Sequence, residues 1–174
     1  APKGSVRLEN FHEGLARFSV PFTKIYGENL NGYLSKSGEI VIPLKHVGAR
    51  SFSEGLAAVS LKRSMSRLEE HNPVFTVPEE KRSCGYIDKT GKLVIGYQFD
   101  RAGSFTEGLA RVQIDGKWGY IDKSGKIVIP PRFVWACDFK NGVAEVWPEE
   151  DEKIIFINMK GETLVTTAGN VCFF

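Results

Sequence analysis

The chain has 174 residues, 42% hydrophobic and 25% charged, with 23 Lys and Arg against 21 Asp and Glu and a net charge of +2. That composition excludes a disordered or collagenous chain, and the charge is too small to imply electrostatic binding to nucleic acid or a membrane surface. No apolar run approaches the length of a membrane-spanning helix, and a chain of this size can bury about 70% of its extended surface in one domain or repeat array.

From the N-terminus, Ala1-Pro2-Lys3-Gly4-Ser5 offers neither an initiator Met nor an apolar signal core, which predicts processing or excision from a longer chain. Self-similarity begins immediately afterwards. Phe11-His12-Glu13-Gly14-Leu15-Ala16 returns as Phe52-Ser53-Glu54-Gly55-Leu56-Ala57, as Phe105-Thr106-Glu107-Gly108-Leu109-Ala110, and more loosely as Phe139-Lys140-Asn141-Gly142-Val143-Ala144. A second motif follows each copy: Gly32-Tyr33-Leu34-Ser35-Lys36-Ser37-Gly38, Gly85-Tyr86-Ile87-Asp88-Lys89-Thr90-Gly91 and Gly119-Tyr120-Ile121-Asp122-Lys123-Ser124-Gly125, with a degraded fourth copy at Ile155-Phe156-Ile157-Asn158. From the Gly-Tyr glycine to the glycine of the next Phe-x-Glu-Gly copy the distance is 23 residues each time, 32 to 55, 85 to 108 and 119 to 142. The connection back to the Gly-Tyr position varies: 14 to 32, 55 to 85, 108 to 119 and 142 to 155. One segment is rigidly specified, and only the other accepts insertions.

Within a copy, Leu109 to Ile114 alternates in the manner of a half-buried strand, and Asp115-Gly116 is the signal of a two-residue hairpin into a second strand at Lys117 to Asp122. Asp122-Lys123-Ser124-Gly125 turns the chain into a third strand, which Pro130-Pro131 is expected to end. Homologous first strands are expected at Leu15 to Val20, Leu56 to Leu61 and Val143 to Trp147. The chain therefore reads as all-β, a single array over residues 1–174 of about four three-stranded antiparallel meanders, forming an open spiral or propeller-like stack. The repeats run roughly 11–51, 52–104, 105–138 and 139–174, with hairpin insertions near 19–31 and 62–83. A short link joins the meanders, and its Ala and Phe (Ala49 and Phe52, Ala102 and Phe105, Ala136 and Phe139) are expected to pack one repeat on the next.

Gly116-Lys117-Trp118-Gly119-Tyr120-Ile121-Asp122-Lys123-Ser124-Gly125-Lys126-Ile127-Val128-Ile129-Pro130-Pro131 resembles the WG, or KWG, repeat found mainly in bacterial proteins. The other copies depart from it where Trp belongs: Asn31, Cys84 and Ile154 stand there. The resemblance implies a repeat-built binding or accessory module and carries over no catalytic residue.

The residues themselves give no catalytic constellation. His12, His46 and His71 occupy different repeat phases, and the recurring Glu13, Glu54 and Glu107 are expected at structural turns, since one carboxylate dyad does not need a copy in every repeat. No phosphate loop or cofactor motif is present, and no metal-ligand spacing. Cys84, Cys137 and Cys172 read as free thiols, which favours a reducing, cytoplasmic compartment. The strand-two aromatics Tyr33, Tyr86, Tyr120 and Trp118 read as core, whereas Trp135 and Trp147 have no counterparts in other repeats and are candidate glycan contacts. The insertions carry mixed apolar, aromatic and charged side chains. Phe22 and Tyr26 in the first and Arg63, Arg67, His71 and Phe75 in the second are the expected contacts to another protein. The reading is a noncatalytic protein-interaction module with no nucleic-acid partner and no membrane insertion. A glycan or cell-envelope binding module is the alternative.

Overall fold

The computed structural model describes residues 6–21, 29–61, 83–149 and 153–167. Every regular element among them is a β-strand. The first unit contains β1 (Arg7–His12), β2 (Leu15–Pro21), β3 (Asn29–Ser35) and β4 (Ile40–His46); the second contains β5 (Gly48–Ala49), β6 (Leu56–Ser60), β7 (Cys84–Asp88) and β8 (Leu93–Phe99). The third is β9 (Arg101–Thr106), β10 (Leu109–Ile114), β11 (Lys117–Asp122) and the first half of β12 (Ile127–Ala136). The second half of β12 opens the fourth, followed by β13 (Val143–Pro148), β14 (Ile154–Asn158) and β15 (Thr163–Thr167). Neighbours in sequence pair antiparallel throughout, giving two four-stranded sheets and one seven-stranded sheet, none closed on itself.

Each three-stranded meander forms where the alternation places it, and the link adds a fourth strand in front. Phe105 pairs with Ala110 across the Glu107-Gly108 turn, and Ala136 pairs with Val146. Pro130-Pro131 does not end its strand. β12 runs through both prolines because the ladder slips there: Tyr120 faces Ile129 while Trp118 faces Phe133, so a bulge carries the prolines past the positions that would need an N–H. The bulge lies against the Gly-Tyr glycine. A Cβ on Gly119 would stand 2.5 Å from the Ile129 carbonyl oxygen, and one on Gly32 or Gly85 would stand 2.6 Å from that of Ile42 or Ile95.

Three cores result, and each belongs to two repeats. Phe52 joins Tyr33 and Ile42 of the first unit to Ala57, Val59 and Ile87 of the second. Phe105 joins Tyr86, Ile95 and Phe99 to Ala110, Val112 and Ile121, and Phe139 joins Tyr120, Ile129 and Phe133 to Ala144, Val146 and Ile157. Tyr120 and Ile121, adjacent in sequence, point to opposite faces of their sheet and enter different cores. That explains the unbroken apolar run of strand two in a sheet covered on both sides.

Candidate functional site

The constant 23-residue spacing has a set of physical causes. Each Gly-Tyr tyrosine is buried and donates its hydroxyl to a link-strand carbonyl 17 residues on: Tyr33 to Arg50 at 2.6 Å, Tyr86 to Gly103 at 2.9 Å and Tyr120 to Cys137 at 2.7 Å. Burial pushes all three phenol pKa values above the ordinary one, so the hydroxyls remain donors. Their rings lie 4.8, 4.9 and 4.8 Å from Phe52, Phe105 and Phe139. An inserted residue would break the hydrogen bond and the ring contact together.

The recurring glutamates complete this frame. Each sits with its glycine in a two-residue turn with positive φ at both positions, 51° and 91° at Glu13-Gly14, 53° and 88° at Glu54-Gly55, 53° and 83° at Glu107-Gly108. Their carboxylates reach the equivalent turn of the following repeat: Glu13 accepts from the Gly55 amide at 3.0 Å, Glu54 from that of Gly108 at 3.1 Å, and Glu107 from those of Asn141 and Gly142 at 2.6 and 2.7 Å. Lys89 pairs with Glu13 at 3.0 Å and Lys123 with Glu54 at 2.9 Å, each lysine again from the following repeat. In the fourth repeat Met159 stands at that lysine's sequence position. Burial raises the Glu13 and Glu54 carboxyls, but the lysines and turn amides outweigh it and both end below the usual glutamate pKa.

Insertions are accommodated where the frame makes no demands. In the third repeat, Asp115-Gly116 closes β10 onto β11 directly from the Ile114–Lys117 pair. In the first repeat the same place is bounded by the Pro21–Asn29 pair, and in the second by Ser60–Cys84 and the Leu61 amide bonded to the Ser83 carbonyl at 3.0 Å. Both insertions thus leave from ordinary hairpin ends on the same end of their sheets. The expected contacts Phe22, Tyr26, Arg63, Arg67, His71 and Phe75 lie outside the described residues.

Beside the second of these hairpin ends, an open cleft of about 520 Å³ lies between the first and second repeats and reaches Ala102 and Ser104 of β9. Its cause is a change of side chains on a common backbone. In the third repeat Arg111 lies over the Trp118 ring at 5.5 Å, forms an ion pair with Asp138 at 2.8 Å and bonds to the Ala136 carbonyl. The equivalent positions one repeat earlier hold Ala58, Cys84 and, in β9, Ser104, all lining the cleft. Arg50, from the link, donates to the Ala102 carbonyl at 3.1 Å instead. On the first-repeat wall, Arg17 is held by Glu9 and by the Asn31 side-chain oxygen at 2.9 Å. The Arg17 guanidinium is the main cause holding the Glu9 carboxyl below its ordinary pKa.

Trp135 and Trp147 are direct cross-strand partners with ring centroids 5.9 Å apart; Trp135 is half-buried and Trp147 is 39% exposed. An exposed feature that the sequence reading missed is an aliphatic pair in strand three of every repeat: Ile40-Val41, Leu93-Val94, Ile127-Val128 and Leu164-Val165. The signal was available, because consecutive aliphatics on a strand alternate faces and cannot all enter one core.

His12 is exposed, and His46 is buried with neither ring nitrogen hydrogen-bonded. His71 lies outside the described residues. Among the described residues no group of His, Cys, Asp and Glu converges in a way that could hold a metal. The cysteine expectation needs correction. Cys84 is free, and burial raises its thiol pKa, but Cys137 is disulfide-bonded, and Cys172 lies outside the described residues. Repeat phase shows which positions are equivalent, not which distant residues meet, so it could not reveal this bond. The cysteine argument for a reducing compartment lapses with it, since disulfides persist chiefly in oxidising ones.

No curated protein matches the chain. The family described as WG containing repeat matches residues 32–62, 85–118 and 118–146, over half of the sequence, taking in Tyr33, Tyr86 and Tyr120 together with Glu54 and Glu107. The chain is a member of the WG-containing-repeat family, a tandem β-repeat protein.

Proposed function

We propose that this chain is a noncatalytic protein-interaction module, a rigid repeat frame that displays the two insertions to a partner protein. The supporting observation is that both insertions leave from paired hairpin ends at a position the third repeat closes in two residues, so they add surface without altering the frame. Loops carried this way are free to vary with a partner. The exposed aliphatic pairs of strand three offer further apolar contact area on the same array.

The test replaces residues 62–82 by Asp-Gly, the third repeat's own closure, and compares partner capture by this variant with capture by the intact chain. The closed variant should melt normally and lose the partner, and Arg67→Ala or Phe75→Ala should each weaken the complex by about 2 kcal/mol if either is an anchor. Unchanged binding by all three variants would refute the reading. The glycan reading rests on the exposed Trp147 stacked beside Trp135. It requires oligosaccharide binding that Trp147→Ala abolishes while the loop variants retain it.

A further inference from the structure

The third repeat shows what the cleft between the first and second repeats lacks. There the Arg111 guanidinium meets three groups: the Ala136 carbonyl, which accepts from it, the Asp138 carboxylate at 2.8 Å and the Trp118 ring at 5.5 Å. One repeat earlier a guanidinium again reaches the equivalent carbonyl, Arg50 Nε donating to Ala102 at 3.1 Å. The other two partners are gone. Ser104 stands in place of Asp138 and Cys84 in place of Trp118, and Ala58, in place of Arg111, leaves the space between them clear.

Charge and hydrogen bonding inside the cleft define its complement. Glu9 is the one acidic side chain lining it; Arg17 holds that carboxylate, and the Ser51 hydroxyl donates to it at 3.4 Å. Arg50 is exposed and forms no ion pair among the described residues, so its two Nη groups are the uncompensated cationic edge of the cleft. Ser104, two residues beyond the bonded Ala102 carbonyl, adds a hydroxyl donor. The Cys84 thiol donates to the Asp100 carbonyl at 3.4 Å, and burial raises its pKa, so it offers a neutral, polarisable sulfur and no second anion.

We propose that the cleft binds a small aromatic carboxylate. Its carboxylate accepts from the Arg50 Nη groups and from the Ser104 hydroxyl, in the place of Asp138, and its ring lies on the guanidinium against Ala58 and Cys84, in the place of Trp118. The ligand supplies from solution the two groups that the third repeat builds into its own chain. A volume of about 520 Å³ falls in the size class of small-molecule sites. The walls come from β1, β2, β5, β6, β7, β9 and the link at Arg50 and Ser51. Neither insertion is used, so this inference and the loop-borne reading can fail separately.

The test is isothermal titration of the intact chain with phenylacetate, with phenylacetamide as the uncharged control. One-site binding is expected for the acid and at least about tenfold weaker binding for the amide, which gives Arg50 no charged acceptor. Ser104→Asp and Cys84→Trp each install the residue that the third repeat holds, so both should keep the native circular dichroism and a cooperative melt. Each should abolish binding, the first by pairing Arg50 internally and the second by occupying the ring's place. Amide shifts on titrating the unaltered chain should centre on Ala58, Cys84 and Ser104, a readout that depends on no variant. Absence of binding at millimolar phenylacetate, equal binding of acid and amide, shifts centred elsewhere, or binding that survives both variants would overturn the proposal. Binding seen only after residues 62–82 are replaced by Asp-Gly would also overturn it, because the insertion would then be the cleft's occupant.

Discussion

The second and third repeats follow the same backbone path and make equivalent tyrosine, phenylalanine and glutamate-to-turn-amide contacts, yet one is filled where the other is hollow. In the third, the guanidinium that bonds to the next link's carbonyl comes from strand one, Arg111, and passes over Gly103, where a Cβ would stand 2.8 Å from Arg111 Cγ. In the second, Gly103's counterpart is Arg50, which bonds to the equivalent Ala102 carbonyl from the link. Strand one then holds Ala58, and strand two holds Cys84 where the third repeat has Trp118. Moving one arginine between two positions keeps the carbonyl satisfied while emptying the space that a stacked Arg and Trp would fill. A repeat protein can therefore change its surface by exchanging residues between equivalent roles, leaving the frame alone.

The comparison is broken most directly through the shared frame. Phe105→Ala and Phe139→Ala should each cost about 3 to 5 kcal/mol, both rings being buried in inter-repeat cores. Denaturant unfolding that separates the two costs by more than about 1 kcal/mol would show that the frames are not equivalent.

A second test concerns His46, which occupies in the first repeat the position of Phe99 and Phe133 in the next two. Burial, with a smaller effect of Lys45, lowers its pKa from 6.5 to about 4. The folded state holds it neutral, so stability is full above about pH 6.5 and declines as pH falls towards 4, where the folded form also protonates. The total loss should be at most about 3 kcal/mol. His46→Phe, the residue of the other repeats, should flatten that part of a melting temperature against pH profile; an unchanged slope would assign it to other groups.

The cleft itself is sharpened by refilling it. Ala58→Arg alone should destabilise the chain by about 1 to 3 kcal/mol, because Arg50 occupies the path that Gly103 leaves clear in the third repeat. Adding Arg50→Gly should recover most of that loss, a non-additivity that a double-mutant cycle reads directly. Additive costs would mean that the two arginine positions do not exchange roles.

The smallest effects lie in the glutamate contacts. Glu54→Gln should cost about 0.5 to 1 kcal/mol and reduce the salt dependence of stability, because Lys123 loses its partner. Glu107→Gln should leave that dependence unaltered, since Glu107 meets amides and Met159 replaces the lysine. Equal salt dependence in both variants would dissolve the distinction.

Much of the frame was legible because its causes are local or periodic. Asp115-Gly116 forms the two-residue turn that its residues require, with φ of 50° and 80°, and the equal spacings located the segment that tyrosine and phenylalanine bind together. The glutamates' turn role followed from their phase. What escaped depended on geometry that residue type does not encode. Prolines forbid a ladder hydrogen bond, but a bulge lets β12 continue past them. The arginine exchange behind the cleft is invisible until Arg50 and Arg111 are seen to serve equivalent carbonyls, and the Cys137 disulfide joins residues whose proximity the spacing does not report. Of the aromatics, the three Gly-Tyr tyrosines are buried as their repetition led one to expect, whereas Trp118 is only partly buried against its core, Trp135 is half-buried and Trp147 is exposed.

The glutamate turns couple folding from one repeat to the next. A non-glycine residue in the left-handed region costs about 1 kcal/mol or more, and Glu13, Glu54 and Glu107 each adopt it with carboxylates whose amide partners, among the described residues, lie in the following repeat. A repeat without its successor keeps the strained turn and loses the compensating bonds, besides exposing half of a shared core. Partial folding is thereby penalised at each boundary, and the array is driven towards cooperative behaviour in which neighbouring units order together. Asn141, a residue better suited to positive φ, carries the same turn in the fourth repeat with less need of a neighbour.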